Sequence, residues 1–410
     1  YFLWRFIATC LITFGRYAFI PDAKTLRPKH INKMNKPNSD FPLVMLAAGG
    51  TGGHIFPAEA LARELLKRNV NVCLMTDKRG GQFSADMLDV PVLRIHAAGL
   101  GSNLFSKLRG VLEMGFGALE AWFAIRKHKP ALVVGFGGYP SVPTVFAASR
   151  CGIPIMLHEQ NAVVGRANKI LSHLAQAIAT SFPNVKGLEH TKTRLALTGN
   201  PVRPAIRALY DAPYPPVSET GALTLLVLGG SLGATIFSDV VPKAVMRLPE
   251  PLRKRLNIHQ QCRKDDLEKV RAAYGENGIH VELATFFHDV PERLANCHLA
   301  ICRSGASTVS ELAVAGRPAI LVPYPHALTG EQKANAEALA ETGGAWLIPQ
   351  SAFTPEVLAV RLESLLTLPA TLIKTAAATK SMARVDAASK LADLACEMIG
   401  LSHDGQKVGY

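Results

Sequence analysis

Aromatic side chains are scarce in this chain, only 7% of 410 residues, which argues against nucleic-acid binding by base stacking. Charge is thin too: Asp, Glu, Lys and Arg make up 19% against 48% hydrophobic residues. That balance excludes wholesale disorder, collagen and coiled coil, because there is ample apolar surface to bury. The seven cysteines include no C-x-x-C pair and are odd in number, so neither a disulfide framework nor a zinc site is expected. Six of them, all but Cys262, lie within or beside apolar runs, as buried free thiols do. No G-x-x-x-x-G-K-[ST] phosphate loop occurs. A complete G-x-G-x-x-G fingerprint is missing as well, since Gly50-x-Gly52 is followed by Ile55 at the third glycine position. Asp77, at the end of a strand-like run, could serve as a ribose acid and keeps a dehydrogenase in view.

Basic residues, by contrast, are in excess: 45 Lys and Arg against 32 Asp and Glu, a net charge of +13. Such an excess points to an anionic partner, whether a phosphorylated substrate, a membrane surface or nucleic acid. Residues 1–40 differ from the remainder of the chain. YFLWRFIATCLITFGRYAFI is apolar but carries Arg5 and Arg16, which makes it a marginal span, and no cleavage site of the signal-peptide kind is clear. Residues 21–40 read as linker. The stretch is expected to be a leader outside the folded part, with Met34 a candidate start. It holds seven basic and two acidic residues, so +5 of the charge belongs to it and +8 to the rest.

The length suits two domains, and the pattern from residue 41 repeats strand, glycine turn and helix. Leu43–Ala48 is an apolar run suited to a buried parallel strand. It meets Gly49-Gly-Thr-Gly-Gly-His54, after which Pro57 is expected to open a helix through Arg68. Val70–Thr76, Ala131–Gly135 and Ile153–Leu157 read as further strands. A second unit begins at Leu223–Leu228, followed by Gly229-Gly-Ser-Leu-Gly-Ala234 and a helix. Leu299–Cys302 and Ala319–Val322 are its later strands, with a helix over Ala306–Ala315 between them. Asn200–Gly221 holds five prolines and reads as linker. The expected fold class is α/β, two Rossmann-like domains facing across a cleft. The expected boundaries are 41–199 for the first domain, 200–222 for the linker, 223–380 for the second domain and 381–410 for a terminal helix and tail.

Two glycine loops at the C-terminal ends of buried strands are suited to diphosphate binding. Glycine lets the backbone approach closely, and the free N–H groups of a helix N-terminus attract negative charge. His54 closes the first loop and is the first candidate general base, the alternative being a histidine that caps the helix or donates to a phosphate. Glu159, beside His158 in His-Glu-Gln-Asn161, is the second candidate base; the alternative is that this pair orders the loop carrying Asn161. Ser102–Pro130 interleaves Leu108, Leu112, Phe116, Trp122 and Phe123 with Lys107, Arg109, Arg126, Lys127 and Lys129. That pattern fits either a helix lying on an anionic leaflet or a helix hairpin packed on the sheet.

The motifs GGTGGH (49–54), GFGGYP (135–140), HEQN (158–161), GNPVR (199–203), GGSLGA (229–234) and CRSGASTVSE (302–311) occur in the order typical of the MurG family. The chain resembles that family over about residues 41–400. The resemblance implies a GT-B fold whose C-terminal helix crosses back onto the N-terminal domain. It also implies an inverting, metal-independent transfer of GlcNAc from UDP-GlcNAc to the C4 hydroxyl of lipid I, without a cofactor. The absence of a D-x-D motif near the second loop is compatible with that. Carried over by position, Thr51, Gly52 and Gly53 would line the mouth of the cleft. Asn161 and Gln332 would read the sugar, Arg203 and Ser231 would hold the diphosphate, and Glu311 would accept from two ribose hydroxyls. Ala306, Ser307, Thr308, Val309 and Ser310 would form the turn and helix against the nucleotide. Phe287 stands beside uracil where the family usually has Ile, and Leu232 stands where it usually has Gln. The implied partners are UDP-GlcNAc, lipid I and an anionic membrane surface, with room for other cell-wall synthesis enzymes and no nucleic acid. The implied location is peripheral, on the cytoplasmic face of the bacterial inner membrane. A GT-B transferase with another lipid acceptor, a UDP-sugar epimerase and a non-enzymatic nucleotide-binding protein remain alternatives.

Overall fold

The computed structural model describes residues 41–49, 52–77, 90–97, 104–230, 233–275, 279–327 and 329–402. The leader, Thr51, Ser231 and Leu232 lie outside the described residues.

The first sheet has seven strands: β1 (Leu43–Ala47), β2 (Asn71–Thr76), β3 (Val92–Arg94), β4 (Leu132–Gly135), β5 (Ile155–Glu159), β6 (Ala177–Thr180) and β7 (Arg194–Leu197). They are ordered β3-β2-β1-β4-β5-β6-β7 and pair in parallel throughout. The second sheet holds β8 (Leu223–Leu228), β9 (Leu256–Gln261), β10 (His280–Ala284), β11 (Leu299–Cys302), β12 (Ala319–Leu321) and β13 (Ala345–Leu347). Its order is β10-β9-β8-β11-β12-β13, again all parallel. Central strands such as β4, β5 and β11 are buried at every position; β4 and β11 accordingly read as unbroken apolar runs, whereas β5 ends in the buried His158 and Glu159. Strand order reverses between β1 and β4 in one sheet and between β8 and β11 in the other. A crevice opens at the C-terminal ends of the strands at such a point, and Gly49 and Gly229, the first residues of the two glycine motifs, follow β1 and β8 there.

Six helices bear on the site: α1 (Gly52–Lys67), α2 (Leu104–His128), α3 (Ser141–Arg150), α4 (Ala306–Ala315), α5 (Glu331–Glu341) and α6 (Ala387–Met398). The expectation that Pro57 opens α1 is corrected, because the helix starts at Gly52 and Pro57 lies inside it. Proline there removes one ladder bond, to the Gly53 carbonyl, and the remaining turns hold. The helix N-terminus therefore reaches into the glycine loop itself. Cys262, which follows β9, is buried like Cys73, Cys297, Cys302 and Cys396 although its sequence surroundings are polar.

The last helix, α6, returns to the first domain. Leu391, Leu394, Ala395 and Cys396 share one buried cluster with Ile55, Leu61 and Leu65 of α1. At the margin of that contact, Arg68 Nη2 donates to Ser389 Oγ at 2.9 Å, and Arg194 pairs with Glu397. Gly199, at the end of the first domain, packs so closely on this returning segment that a Cβ there would sit 2.4 Å from the Arg384 Cβ.

Candidate active site

The first loop is assembled from two strand ends. Gly49 follows β1 and lies against the turn after β4, where a Cβ on Gly49 would fall 3.1 Å from the Gly138 Cα. Gly137 and Gly138 take positive φ, +90° and +76°, a conformation glycine adopts without the steric cost of a side chain. Their bare backbone makes room for the His54 ring, whose Cε1 and Nδ1 would lie 3.1 and 3.3 Å from a Cβ on Gly137. His54 is the third residue of α1. Its Nδ1 is buried and has no hydrogen-bond partner of good geometry, while the residue as a whole keeps partial exposure. Burial lowers its pKa from the ordinary 6.5, with the nearby Gln160 side chain and Phe136 carbonyl pulling the other way. The imidazole is thus neutral at physiological pH.

Behind it, β5 delivers a buried polar knot. His158 is fully buried. Its Nε2 lies 3.2 Å from the Gly199 carbonyl and its Nδ1 lies 3.0 Å from the Gln160 amide nitrogen. This pairing assigns the proton to Nε2 and the lone pair to Nδ1. Burial pushes its pKa down to about 4, opposed by the bond to Gly199 and aided by the nearby His54. Gln160 also donates to the Phe136 carbonyl at 3.0 Å, tying this strand end to the glycine turn beside His54.

Glu159 is buried and its carboxylate is fully engaged. Oε1 accepts from the Asn161 N–H at 3.0 Å and the Asn161 amide at 3.3 Å. Oε2 accepts from the Gly165 N–H and the Asn168 amide, both at 2.9 Å. Burial raises its pKa while these four donors lower it. Of the two readings open from sequence, this geometry favours a carboxylate that orders the loop, since both oxygens are engaged by loop donors in this structure.

Among the contacts that join the domains across the cleft, two involve residues singled out from the sequence. Arg203, in the linker, forms a bidentate pair with Glu311 on α4, with Nε–Oε1 at 2.8 Å and Nη2–Oε2 at 2.9 Å. The residues expected to hold the diphosphate and the ribose thus face each other at one spot. Deeper in, Asn161 Oδ1 accepts from Asn335 on α5 at 3.0 Å. Sequence reasoning missed Asn335, since it lies 174 residues from Asn161 and nothing near it signals the contact.

On the second domain, Gly305 precedes α4 in extended conformation. In the N-terminal turn of α4, Ala306, Ser307 and Thr308 are partly exposed, Val309 is buried beneath and Ser310 donates back to the Ala306 carbonyl. Gln332 accepts from the Tyr324 N–H at 2.9 Å, and its carbonyl receives the Ser304 hydroxyl at 2.7 Å. Gln261, also missed from sequence, braces the second glycine loop: it accepts from the Gly229 N–H at 3.2 Å and donates to the Gly230 carbonyl at 3.0 Å. The Phe287 ring is buried under the Arg293 guanidinium, 3.9 Å away. What Phe287 can offer a nucleobase is therefore its backbone. Gly52 and Gly53 form the first turn of α1, with Gly53 open to solvent.

The helix α2 is two-faced. Gly117, Ala121 and Ile125 are buried, and a Cβ on Gly117 would meet the His96 carbonyl at 1.8 Å, so the small residue sets a close approach. On the opposite side Leu108, Leu112, Phe116, Leu119 and Phe123 are exposed, Phe116 by 62%. At 100° per residue these five fall within one narrow stripe about 22 Å long. Arg109, Arg126 and Lys127 flank it, all exposed. The sequence pattern of 102–130 is thus one helix, and its apolar residues divide between the two faces. Among the described residues, no helix is long and apolar enough to cross a membrane.

Two parallel-sheet domains that meet at their strand C-termini, each with a glycine loop, make up the GT-B fold of nucleotide-sugar enzymes. The description "Glycosyltransferase family 28 N-terminal domain" matches residues 44–180, and its C-terminal counterpart matches 224–391. A UDP-N-acetylglucosamine--N-acetylmuramyl-(pentapeptide) pyrophosphoryl-undecaprenol N-acetylglucosamine transferase of Rhodospirillum centenum is 54% identical over 88% of this chain and 95% of its own. The crystal structure of Acinetobacter baumannii MurG is similar at a TM-score of 0.71 and 31% identity, over 86% of this chain and 98% of that one. The chain belongs to the MurG family of glycosyltransferases. A UDP-GlcNAc 2-epimerase from Neisseria meningitidis, at a TM-score of 0.61 but 12% identity over 87% of this chain and 99% of that one, shares the fold alone.

Proposed function

We propose that this enzyme transfers GlcNAc from UDP-GlcNAc to the C4 hydroxyl of lipid I, with inversion at the anomeric carbon and without a metal. The observation that carries the reading is the pairing of Arg203 with Glu311 and of Asn161 with Asn335. Through these pairs, groups suited to diphosphate, ribose and sugar come from both domains to one cleft. The named relatives support the choice of donor and acceptor.

In this mechanism the acceptor hydroxyl approaches the anomeric carbon from the first-domain side, near Gly52, Gly53 and His54. His54, neutral because burial lowers its pKa, takes the hydroxyl proton as the carbon–oxygen bond to UDP breaks. Negative charge develops on the departing diphosphate. Arg203, Ser231 and the N-terminus of α4 stabilise it, a guanidinium fork and unpaired N–H groups suiting phosphate oxygens. Glu311 turns from Arg203 to the ribose hydroxyls when the donor binds. Gln332 and Asn161 fix the sugar, Thr51 borders the acceptor diphosphate, and the Phe287 backbone meets the uracil.

The exposed stripe of α2 supports peripheral attachment to an anionic leaflet on the cytoplasmic side, where apolar residues enter the interface and flanking cations meet headgroups. Radiolabelled UDP-GlcNAc incubated with the full chain and a lipid I analogue tests the whole reading. Labelled disaccharide lipid is the expected product. Turnover of UDP-GlcNAc with no acceptor present would instead mark an epimerase.

A further inference from the structure

Asn335 is completely buried on α5, yet its amide serves both domains. Its Oδ1 accepts from the Ala162 N–H at 2.8 Å. Its Nδ2 donates to Asn161 Oδ1 at 3.0 Å and to the Ser304 carbonyl at 3.1 Å. These three partners fix which way the amide points. Turned over, it would set an oxygen against two acceptors and an NH₂ against an N–H. The surroundings are apolar: Ala162 and Val164 of one domain and Ala334, Ala336 and Leu339 of the other belong to a single buried cluster. In such surroundings each bond is stronger, and an unpaired group is costly. At the solvent edge of this contact Lys186 pairs with Glu337 at 3.1 Å.

We propose that Asn335 is a positioning residue for the donor sugar, acting through Asn161. Resting on the reading that Asn161 and Gln332 bind the sugar, this inference explains why a buried polar group is kept where an apolar one would pack. The Asn161 side chain is held between two elements: Asn335 caps its oxygen, and its nitrogen reaches Glu159. One turn before Asn335 on α5 stands Gln332, whose carbonyl is tied to Ser304, itself bonded to Asn335. One amide therefore sets the spacing between the sugar-reading side chains of the two domains. Arg203 and Glu311 bond to each other and not to Asn335, Asn161 or Gln332, so loss of the Asn335 amide is expected to weigh more on the sugar than on the nucleotide.

The test compares UDP with UDP-GlcNAc. Asn335→Ala is expected to leave the Kd for UDP within about twofold while lowering kcat/KM for transfer by about 10²-fold, the scale of a misplaced reactant. Asn335→Asp keeps the bond to Ala162 but opposes Asn161 and Ser304; it is expected to show the same split and serves if the alanine variant does not fold. In an Asn161→Ala background, Asn335→Ala is expected to cost less than about threefold more, since its effect runs through Asn161. Additive losses in that cycle, or equal weakening of UDP and UDP-GlcNAc, would show that Asn335 only holds the domains together and would overturn the proposal. A wild-type chain that transfers no GlcNAc would refute the functional reading, and this inference would fall with it. Wild-type transfer with unaffected variants would refute the positioning role alone.

Discussion

His158 ties the stability of the first domain to pH. Its ring is neutral in the fold, with a pKa of about 4 against 6.5 ordinarily. The unfolded chain therefore binds a proton in the range where the folded one does not. A histidine lowered in this way stabilises the fold above 6.5, and that stability is lost as pH falls from 6.5 toward 4. Two and a half pKa units correspond to about 3 kcal/mol in full. Between pH 7 and pH 5 the linkage relation gives a loss of about 2 kcal/mol from this residue alone. Glu159, whose raised pKa has the opposite sign, and His54, which adds to the loss, act in both wild type and variant. His158→Gln removes the titrating ring while keeping an amide that can donate to Gly199. Urea unfolding of both chains at the two pH values measures the difference. Wild type should lose about 2 kcal/mol more than the variant on acidification; equal losses would refute a neutral, buried His158.

The remaining predictions concern turnover and binding. His54→Ala should lower kcat by roughly 10²–10⁴-fold with donor affinity little changed, and in steady-state assays wild-type kcat/KM should be flat at neutrality and fall only below 6.5, as the base becomes protonated. Glu311→Ala should weaken UDP binding by about 10–100-fold in calorimetry, the value of a hydrogen bond to a charged acceptor. Phe116→Asp with Phe123→Asp should abolish co-sedimentation with anionic vesicles while leaving transfer to a short-chain soluble acceptor intact. A chelator added to the transfer assay should leave the rate unchanged.

Much of the fold was legible because buried parallel strands leave a plain mark. Leu223–Leu228 and Leu299–Cys302, and the helix Ala306–Ala315, were expected at the bounds they occupy, each an apolar stretch ended by glycine or polar residues. The start of α1 was not legible, since proline usually marks a first turn and here sits beyond it. Site chemistry was readable residue by residue, whereas its pairings were not. Arg203 and Glu311 each look like ligand contacts, but their bond spans 108 positions and no local period encodes it. Asn335 and Gln261 escaped for the same reason: their partners come from other segments. Glu159 was ambiguous because the donors that engage it, Gly165 and Asn168, are ordinary loop and helix residues.

The return of α6 to α1 has a consequence for how the protein is made. The apolar side of α1 that carries Ile55, Leu61 and Leu65 is among the first parts of the folded region to leave the ribosome, and the helix that covers it is among the last. At ordinary elongation rates that delay is roughly 20 to 60 s, during which the first domain carries an open seam. Its final closure waits on residues 387–398. A chain broken off before them could complete its second domain and still leave its first unsealed, open to chaperones and proteases.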